Sequence, residues 1–189
     1  MTGALARETR TIPIVFTSVS DPIGSGFAAS LAHPGGNITG FMANDPALGG
    51  KWVELLKEIA PRTVRVALLF NPATAVPLQY FMPSIQAAAS SLAIQISNAP
   101  VQAKDEIEGV IAAQARNPGG GLMTYGPDYV EQFRQVPEYI NRILKGEKPA
   151  DLPIQAPTKF ELVINLKAAK TLDLDVPPLL LGRADDVIE

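Results

Sequence analysis

Short apolar runs that stop at polar residues and a proline recur along this chain. The run over residues 12–20 predicts a mostly buried strand, which stops at Ser20-Asp21-Pro22. An aspartate before a proline is typical of a helix N-cap, so we predict a helix from there to about Ala32. The run over residues 64–70 stops in the same way at Asn71-Pro72. The same arrangement of strand, loop and helix is therefore predicted twice.

Helical and strand-like patterns alternate through the rest of the chain. Trp52 lies on the apolar face of a helical pattern and is predicted to be core. Residues 152–165 are predicted to form a proline-punctuated edge segment, and its second part fits either a strand or a helix. The alternation predicts an α/β fold with largely parallel sheets. The further segments predicted are helices at 50–59, 80–92, 105–115, 129–144 and 166–172, and strands at 38–42 and 94–96.

The first strand end is the leading candidate for a binding site, because ligands of open α/β sheets bind at the carboxyl ends of strands. Ser18 and Ser20 alternate with Val19, so we expect both hydroxyls on one side of the strand end. Hydroxyls and helix N–H groups suit a carboxylate, and Asp21 suits an ammonium group. Asp21 is equally well explained as a helix cap without a binding role.

Two further residues are candidate ligand contacts. Asn71 follows the second strand of this type, although a polar strand terminator is the simpler interpretation. Tyr125, between Thr124 and Gly126, fits either the wall of a pocket or a packed loop tyrosine.

A nucleotide-binding enzyme is the competing interpretation of the same region. Gly24-Ser25-Gly26-Phe27-Ala28-Ala29 fits the pattern G-x-G-x-x-A, and Asp45 follows at a distance suitable for holding a ribose. That fingerprint needs its first glycine in the turn directly after the strand, and here Ser20-Asp21-Pro22 occupies the turn. Gly24 and Gly26 would then fall inside the predicted helix, where glycine usually indicates close packing.

The amino-acid composition limits the partners and the catalytic or metal chemistry that this chain can have. The net charge of −3 and the interspersed charges argue against nucleic acid or an anionic membrane as the main partner. Cysteine is absent and His33 is the single histidine, beside Pro34 in a predicted loop. No catalytic constellation stands out, and we expect no metal site and no cofactor.

Several motifs together resemble the substrate-binding proteins of ABC transporters, specifically the tryptophan/tyrosine-type uptake group with the type I periplasmic binding protein fold. The resemblance covers nearly the whole chain. The motifs that carry it span residues 12–16, 20–22, 34–40, 55–58, 66–72, 121–128, 139–146 and 152–165.

The resemblance implies two Rossmann-like lobes that close around a ligand. Lobe one would comprise residues 1–42 and 124–148, and lobe two residues 43–123 and 149–189. Ser18, Ser20 and Asp21 would face the cleft from one lobe and Asn71 from the other, with Tyr125 near the hinge. The implied function is non-enzymatic: capture of a small amino-acid-like or aromatic solute for an ABC permease, in a periplasmic or extracytoplasmic location.

Two departures from the family pattern bear on this function. The N-terminal residues 1–7 lack the apolar region of an export signal, and the first strands of lobe one are expected to be missing. An internal deletion is expected at Pro118-Gly119-Gly120-Gly121. An incomplete first lobe would expose sheet edges and apolar helix faces, so homo-oligomerisation through them is one hypothesis. A fragment that binds nothing is another.

Overall fold

A computed structural model describes residues 2–72, 78–102 and 122–189 of this chain. Its contacts divide the chain into two compact units. Unit 1 comprises Met1–Asp45 and Gly126–Phe160, and unit 2 comprises Pro46–Tyr125 and Glu161–Glu189. The elements in chain order are α1 (Thr2–Glu8), β1 (Ile14–Val19), β2 (Ile38–Met42), α2 (Leu48–Ile59), β3 (Arg65–Phe70), α3 (Leu78–Ser91), β4 (Gln95–Pro100), β5 (Met123–Pro127), α4 (Tyr129–Leu144), β6 (Phe160–Asn165), α5 (Leu166–Thr171), α6 (Pro178–Leu181) and β7 (Asp186–Ile188).

Unit 1 is built on the parallel pair β1 and β2, with α4 packed against both strands. All five residues of β2 are buried, as expected for a strand covered on both faces. Phe41, Tyr139 and Leu152 form the centre of its apolar core, and the rings of Phe41 and Tyr139 lie 4.8 Å apart between centroids. The side chain of α4 residue Gln132 is also buried, and its Nε2 donates to the Met42 carbonyl at 2.8 Å.

Unit 2 contains the parallel pair β3 and β4, the helices α2 and α3, and a sheet in which β6 lies between β5 and β7. β6 and β7 are parallel. The amphipathic pattern of α2 directs Leu55 and Ile59 into a core that is completed by Leu162, Ile164 and Leu180. Among the helices of the described residues, none is both long and apolar enough to cross a membrane.

Most strand predictions are confirmed, but the helix predicted from Asp21 to Ala32 is wrong. The chain makes one turn, in which the Ser25 amide donates to the Asp21 carbonyl at 3.0 Å, and then leaves the helical path at Gly26 with φ +72°. Two glycines within three residues lower helix propensity by about 1 kcal/mol each, which outweighs the favourable cap and proline.

Two other predictions need correction. Residues 160–165 form a central strand of their sheet, not an edge strand, because both β5 and β7 flank them. Trp52 is not core: 38% of it is exposed on α2. The helix predicted at 105–115 and the deletion expected at 118–121 lie outside the described residues.

The predicted lobe boundaries stay a prediction. A lobe is a part of the chain that moves as a rigid body. The two units described above are defined by contacts within the chain, so they do not test where the lobes begin and end. Residues 149–160 fall in unit 1, where Leu152 is fully buried and its carbonyl accepts a 2.7 Å hydrogen bond from Thr39 Oγ1.

The N-terminus of α4 is held by Asp128, whose buried carboxylate accepts hydrogen bonds from a backbone amide and from a lysine. Its Oδ1 accepts from the Glu131 amide at 3.0 Å, as a helix N-cap does, and its Oδ2 lies 2.8 Å from Lys159 Nζ. The hydrogen bond from Lys159, together with that from the Glu131 amide, holds the pKa of the Asp128 carboxyl below its ordinary value. The ionised carboxylate therefore stabilises unit 1.

This cap predicts a pH-dependent stability difference for Asp128→Asn, a change that keeps a capping oxygen but removes the charge. Because the folded pKa is lowered, the charge contribution is complete above the ordinary aspartate pKa and disappears as pH falls through the folded value. We expect a lower melting temperature than wild type near pH 7 and convergence of the two proteins in acid. Thermal unfolding from pH 7 to pH 2 measures this, with the exposed Asp151→Asn as control. A difference that stays constant with pH would contradict the role of the charge.

Candidate functional site

The carboxyl ends of β1 and β2 lie side by side in unit 1. The two strands run parallel, and the Ala43 amide beyond β2 donates to the Val19 carbonyl at the end of β1, at 2.9 Å. The residues that follow the strands meet there, because Asn44 Nδ2 donates to Ser20 Oγ at 3.3 Å. Ser20 is buried, with 8% of its surface exposed. The strand ends thus bring a hydroxyl and an amide together.

Ser18 does not share the environment of Ser20, contrary to the expectation from strand alternation. The β1–β2 register shifts between Phe16 and Val19, and Ser18 adopts φ +62° within this irregularity. A bulge of this kind breaks the two-residue period of side-chain direction. Ser18 is therefore exposed while Ser20 is buried.

Asp21 closes the turn that follows β1. Its Oδ1 accepts from the Gly24 amide at 2.7 Å, so the carboxylate caps a single turn and not a helix. The close fit depends on glycine, because a Cβ at Gly24 would lie 2.1 Å from Asp21 Oδ2. Asp21 is only partly buried, which leaves the carboxylate accessible to a ligand.

A polar network behind β2 fixes these strand ends in place. Tyr139 Oη donates to the Pro153 carbonyl at 2.5 Å and accepts from Gln155 Nε2 at 2.8 Å. The backbone of Gln155 forms hydrogen bonds on both sides of Phe41: its amide donates to the Gly40 carbonyl at 3.0 Å, and its carbonyl accepts from the Met42 amide at 2.8 Å.

Within the described residues, every buried side-chain nitrogen and oxygen atom has a hydrogen-bond partner. Unit 1 therefore presents Ser20, Asp21 and Asn44 on a well-supported frame.

Asn44 is the residue that the sequence interpretation missed. The signal was available, since Asn44-Asp45-Pro46 repeats the pattern of polar residues before a proline that also marks Ser20-Asp21-Pro22. The strand-end rule applies to β2 as it does to β1.

The other two predicted site residues belong to unit 2. Asn71 directly follows β3 and is partly buried. Tyr125 lies in β5 and packs against the apolar core of that unit, and its carbonyl accepts from Trp52 Nε1 at 2.8 Å. Trp52 also contacts the ring of Phe81, with centroids 5.2 Å apart.

Tyr125 and Trp52 line an apolar cavity of about 430 Å³ in unit 2. The other lining residues are Leu55, Leu56, Leu122, Met123 and Thr124. Its volume falls within the range of small-molecule sites.

The described residues contain no group of three or more histidine, cysteine, aspartate or glutamate side chains that could hold a metal ion. His33 lies in a loop, as predicted, where its amide donates to Ser30 Oγ at 3.0 Å. The glycine pattern at Gly24 and Gly26 is not followed by the helix whose N-terminus would bind a pyrophosphate. The turn at Gly24 and Gly26 therefore lacks the helix N-terminus on which the dinucleotide fingerprint depends.

Parallel strands with polar residues at adjoining carboxyl ends are the architecture of α/β proteins that bind ligands at strand ends. The sequence profile of the ABC transporter substrate binding protein family matches residues 1–119 and 110–188. The chain belongs to this substrate-binding family, as the sequence motifs predict.

Three known proteins illustrate the relationship. The tyrosine-binding protein of Clostridioides difficile (strain R20291) is 26% identical over 208 residues, which cover 90% of this chain and 60% of that protein. The chain thus spans about three fifths of the length of this relative. The alignment is longer than the whole chain, so the relative has residues inside the aligned region with no counterpart here.

Two solved structures share the fold with a TM-score of 0.83 each. One is an ABC domain in complex with L-Trp from Streptococcus pneumonia, 23% identical, with 98% of this chain and 75% of that one covered. The other is a conserved domain protein from Vibrio cholerae, 28% identical, with 98% and 74% covered. The predicted α/β fold of the type I periplasmic-binding-protein kind is confirmed by these matches.

Proposed function

We propose that this chain is the solute-binding component of an ABC importer and that it captures a small amino-acid-like or aromatic ligand in a cleft between two lobes. The observation that carries the proposal is the pairing of Ser20 with Asn44 at the adjoining ends of β1 and β2, in a chain of the substrate-binding family. Closure of two lobes on a ligand is the usual working motion of such proteins.

The expected ligand chemistry follows from the groups at these strand ends. Ser20 and Asn44 offer a hydroxyl and an amide, which suit the carboxylate of an amino acid. Asp21 offers an accessible carboxylate, which suits its ammonium group. The names of the relatives, which bind tyrosine and tryptophan, support the same ligand class.

The wider role is proposed on the basis of family membership. A substrate-binding protein works by delivering its ligand, so we propose a non-enzymatic role with an ABC permease as partner and an extracytoplasmic location. Ser18, Asn71 and Tyr125 remain proposed contacts alongside Ser20 and Asp21. No cofactor is part of this function.

Isothermal titration calorimetry tests the proposal directly. L-Tryptophan, L-tyrosine and L-phenylalanine are titrated into the full chain, with L-glutamate, L-lysine, NAD⁺ and NADP⁺ as separate arms. We expect saturable heat with the aromatic amino acids and none with the dinucleotides, because the glycine turn lacks a following helix to bind a pyrophosphate.

The arms separate the three functional interpretations. Binding of NAD⁺ or NADP⁺ alone would overturn the proposal in favour of a nucleotide-binding enzyme. Absence of heat in every arm, with a cooperative thermal unfolding transition in the same sample, would identify a folded chain that binds none of these solutes.

A further inference from the structure

The carboxyl end of β2 pairs with a short segment around Gln155 as well as with β1. Phe41 and Gln155 form a parallel bridge, in which the Gln155 amide donates to the Gly40 carbonyl and the Met42 amide donates to the Gln155 carbonyl. In a parallel ladder, the amides of one strand that face its neighbour recur at every second residue. The next amide in this register is that of residue 157, and its acceptor would be the Met42 carbonyl.

Residue 157 cannot supply this hydrogen bond. It is a proline, which has no backbone N–H, so the regular ladder ends there. Met42 and Pro157 are both buried. A buried carbonyl that has lost its water and found no partner is costly to folding. The end of β2 therefore needs a donor from elsewhere in unit 1.

The side chain of Gln132 supplies that donor. Its Nε2 donates to the Met42 carbonyl at 2.8 Å, and only 7% of the residue is exposed. Glutamine on a surface helix is ordinarily exposed, so its burial in α4 calls for a physical reason. The reason is that its side-chain amide takes the place of the backbone amide that Pro157 lacks.

The position of Gln132 is fixed by the N-terminus of α4. Its own backbone amide donates to the carbonyl of the N-cap residue Asp128 at 3.2 Å. The Asp128 amide donates to the Lys159 carbonyl at 3.0 Å, and Lys159 Nζ lies 2.8 Å from Asp128 Oδ2. Lys159 is two residues beyond Pro157, so the segment that lacks the donor also holds the helix that provides it.

The hydrogen bond from Gln132 acts on the peptide unit that leads into the candidate site. The Met42 carbonyl and the Ala43 amide belong to one planar peptide unit. Its carbonyl accepts from Gln132, and its N–H donates to the Val19 carbonyl of β1 at 2.9 Å. The unit is therefore held at both ends. The next residue is Asn44, whose Nδ2 donates to Ser20 Oγ.

We propose that Gln132 is a positioning residue for the ligand site. By replacing the donor that is missing at Pro157, it fixes the Met42–Ala43 peptide unit and thereby holds Asn44 beside Ser20. Gln132 acts through this backbone and is not a ligand contact. Its effect on affinity rests on the proposed function, whereas its effect on the strand end does not.

Amide hydrogen exchange followed by NMR tests the effect on the strand end without any ligand. Gln132→Met keeps a long side chain of good helix propensity but has no donor. We expect the Ala43 amide to exchange roughly tenfold faster in this variant than in wild type, because its peptide unit is held at one end only.

Thr39→Val is the matched control for that measurement. It also removes a buried hydrogen bond from a side chain to a backbone carbonyl, that of Thr39 Oγ1 to Leu152, but nearer the start of β2. Both variants should melt at lower temperature than wild type, and only Gln132→Met should speed the exchange of the Ala43 amide. Equal acceleration in both variants would overturn the proposal.

A second substitution tests the replacement of the missing donor. Pro157→Ala in the Gln132→Met background supplies a backbone amide at position 157, in register with the Met42 carbonyl. We expect slower exchange of the Ala43 amide in the double variant than in Gln132→Met alone. An exchange rate that is not slowed would contradict the equivalence of the two donors.

Calorimetric titration of L-tryptophan and L-tyrosine, at a temperature where every variant is folded, tests the effect on the site. We expect roughly three- to tenfold weaker binding for Gln132→Met and a change of less than about twofold for Thr39→Val. Wild-type affinity in Gln132→Met would overturn the positioning role in binding. A wild-type chain that binds neither amino acid would contradict the proposed function, and the exchange of the Ala43 amide would still decide whether Gln132 positions the strand end.

Discussion

Gly40→Ala is expected to destabilise unit 1 by about 3 to 5 kcal/mol, the sum of a steric and a conformational cost. Gly40 lies in the buried strand β2 opposite Phe16 of β1, and its φ is +150°. A Cβ there would lie 2.1 Å from the Phe16 carbonyl oxygen and 2.7 Å from the Phe16 nitrogen. These are backbone atoms of the paired strand, so relief of the clash requires the strands to separate.

Urea unfolding followed by circular dichroism measures this effect. Gly36→Ala is the matched control: Gly36 lies in the loop before β2 and a Cβ there would meet nothing within 4 Å. The control should change the free energy of unfolding by less than about 0.5 kcal/mol. Equal unfolding midpoints for Gly40→Ala and wild type would mean that the β1–β2 pair accommodates a methyl group.

The strands of this protein are predictable from sequence because their signal is local. An apolar run that ends at a polar residue and a proline defines β1 and β3, and amphipathic spacing defines α2 and α4. The failure at residues 22–32 is also local in origin. Asp21 and Pro22 fit the residue preferences for the N-cap and the first position of a helix. Those preferences do not include the effect of Gly24 and Gly26, which follow within about one turn and lower helix propensity.

The site is less predictable because it depends on which strand ends adjoin. Ser20 could be singled out from sequence, whereas Asn44 needs the knowledge that β1 and β2 are neighbours. The exposure of Ser18 depends on a bulge, and Trp52 donates a hydrogen bond to the carbonyl of Tyr125, which is 73 residues away in the chain. Neither feature has a pattern that periodicity alone can detect.

The family motifs supplied what local patterns left open. Gly24-x-Gly26 alone fits a nucleotide-binding enzyme, and only the set of motifs over nearly the whole chain favours a solute-binding protein. Membership of the ABC transporter substrate binding protein family is confirmed by the profile match. Specificity arises from the combination because each motif by itself is compatible with many α/β proteins.

Asp21→Ala is expected to weaken binding of an amino-acid ligand by about 1.5 to 3 kcal/mol, or roughly 10- to 150-fold in Kd, if the carboxylate accepts a charge-assisted hydrogen bond from the ligand ammonium group. The cost to folding should be smaller, at most about 1 kcal/mol, because Asp21 caps only one exposed turn through the Gly24 amide. Calorimetric titration and thermal unfolding of the same variant separate the two effects.

Asp21→Asn sharpens this test, because its side-chain oxygen can still accept from the Gly24 amide while the charge is lost. A binding role for the charge requires both variants to lose affinity, with the melting temperature of Asp21→Asn close to wild type. If Asp21→Asn binds the ligand with wild-type affinity and only Asp21→Ala has a lower melting temperature, the Asp21 carboxylate stabilises the turn and does not contact the ligand. Ser20 and Asn44 would then be the remaining polar contacts that this strand end offers a ligand.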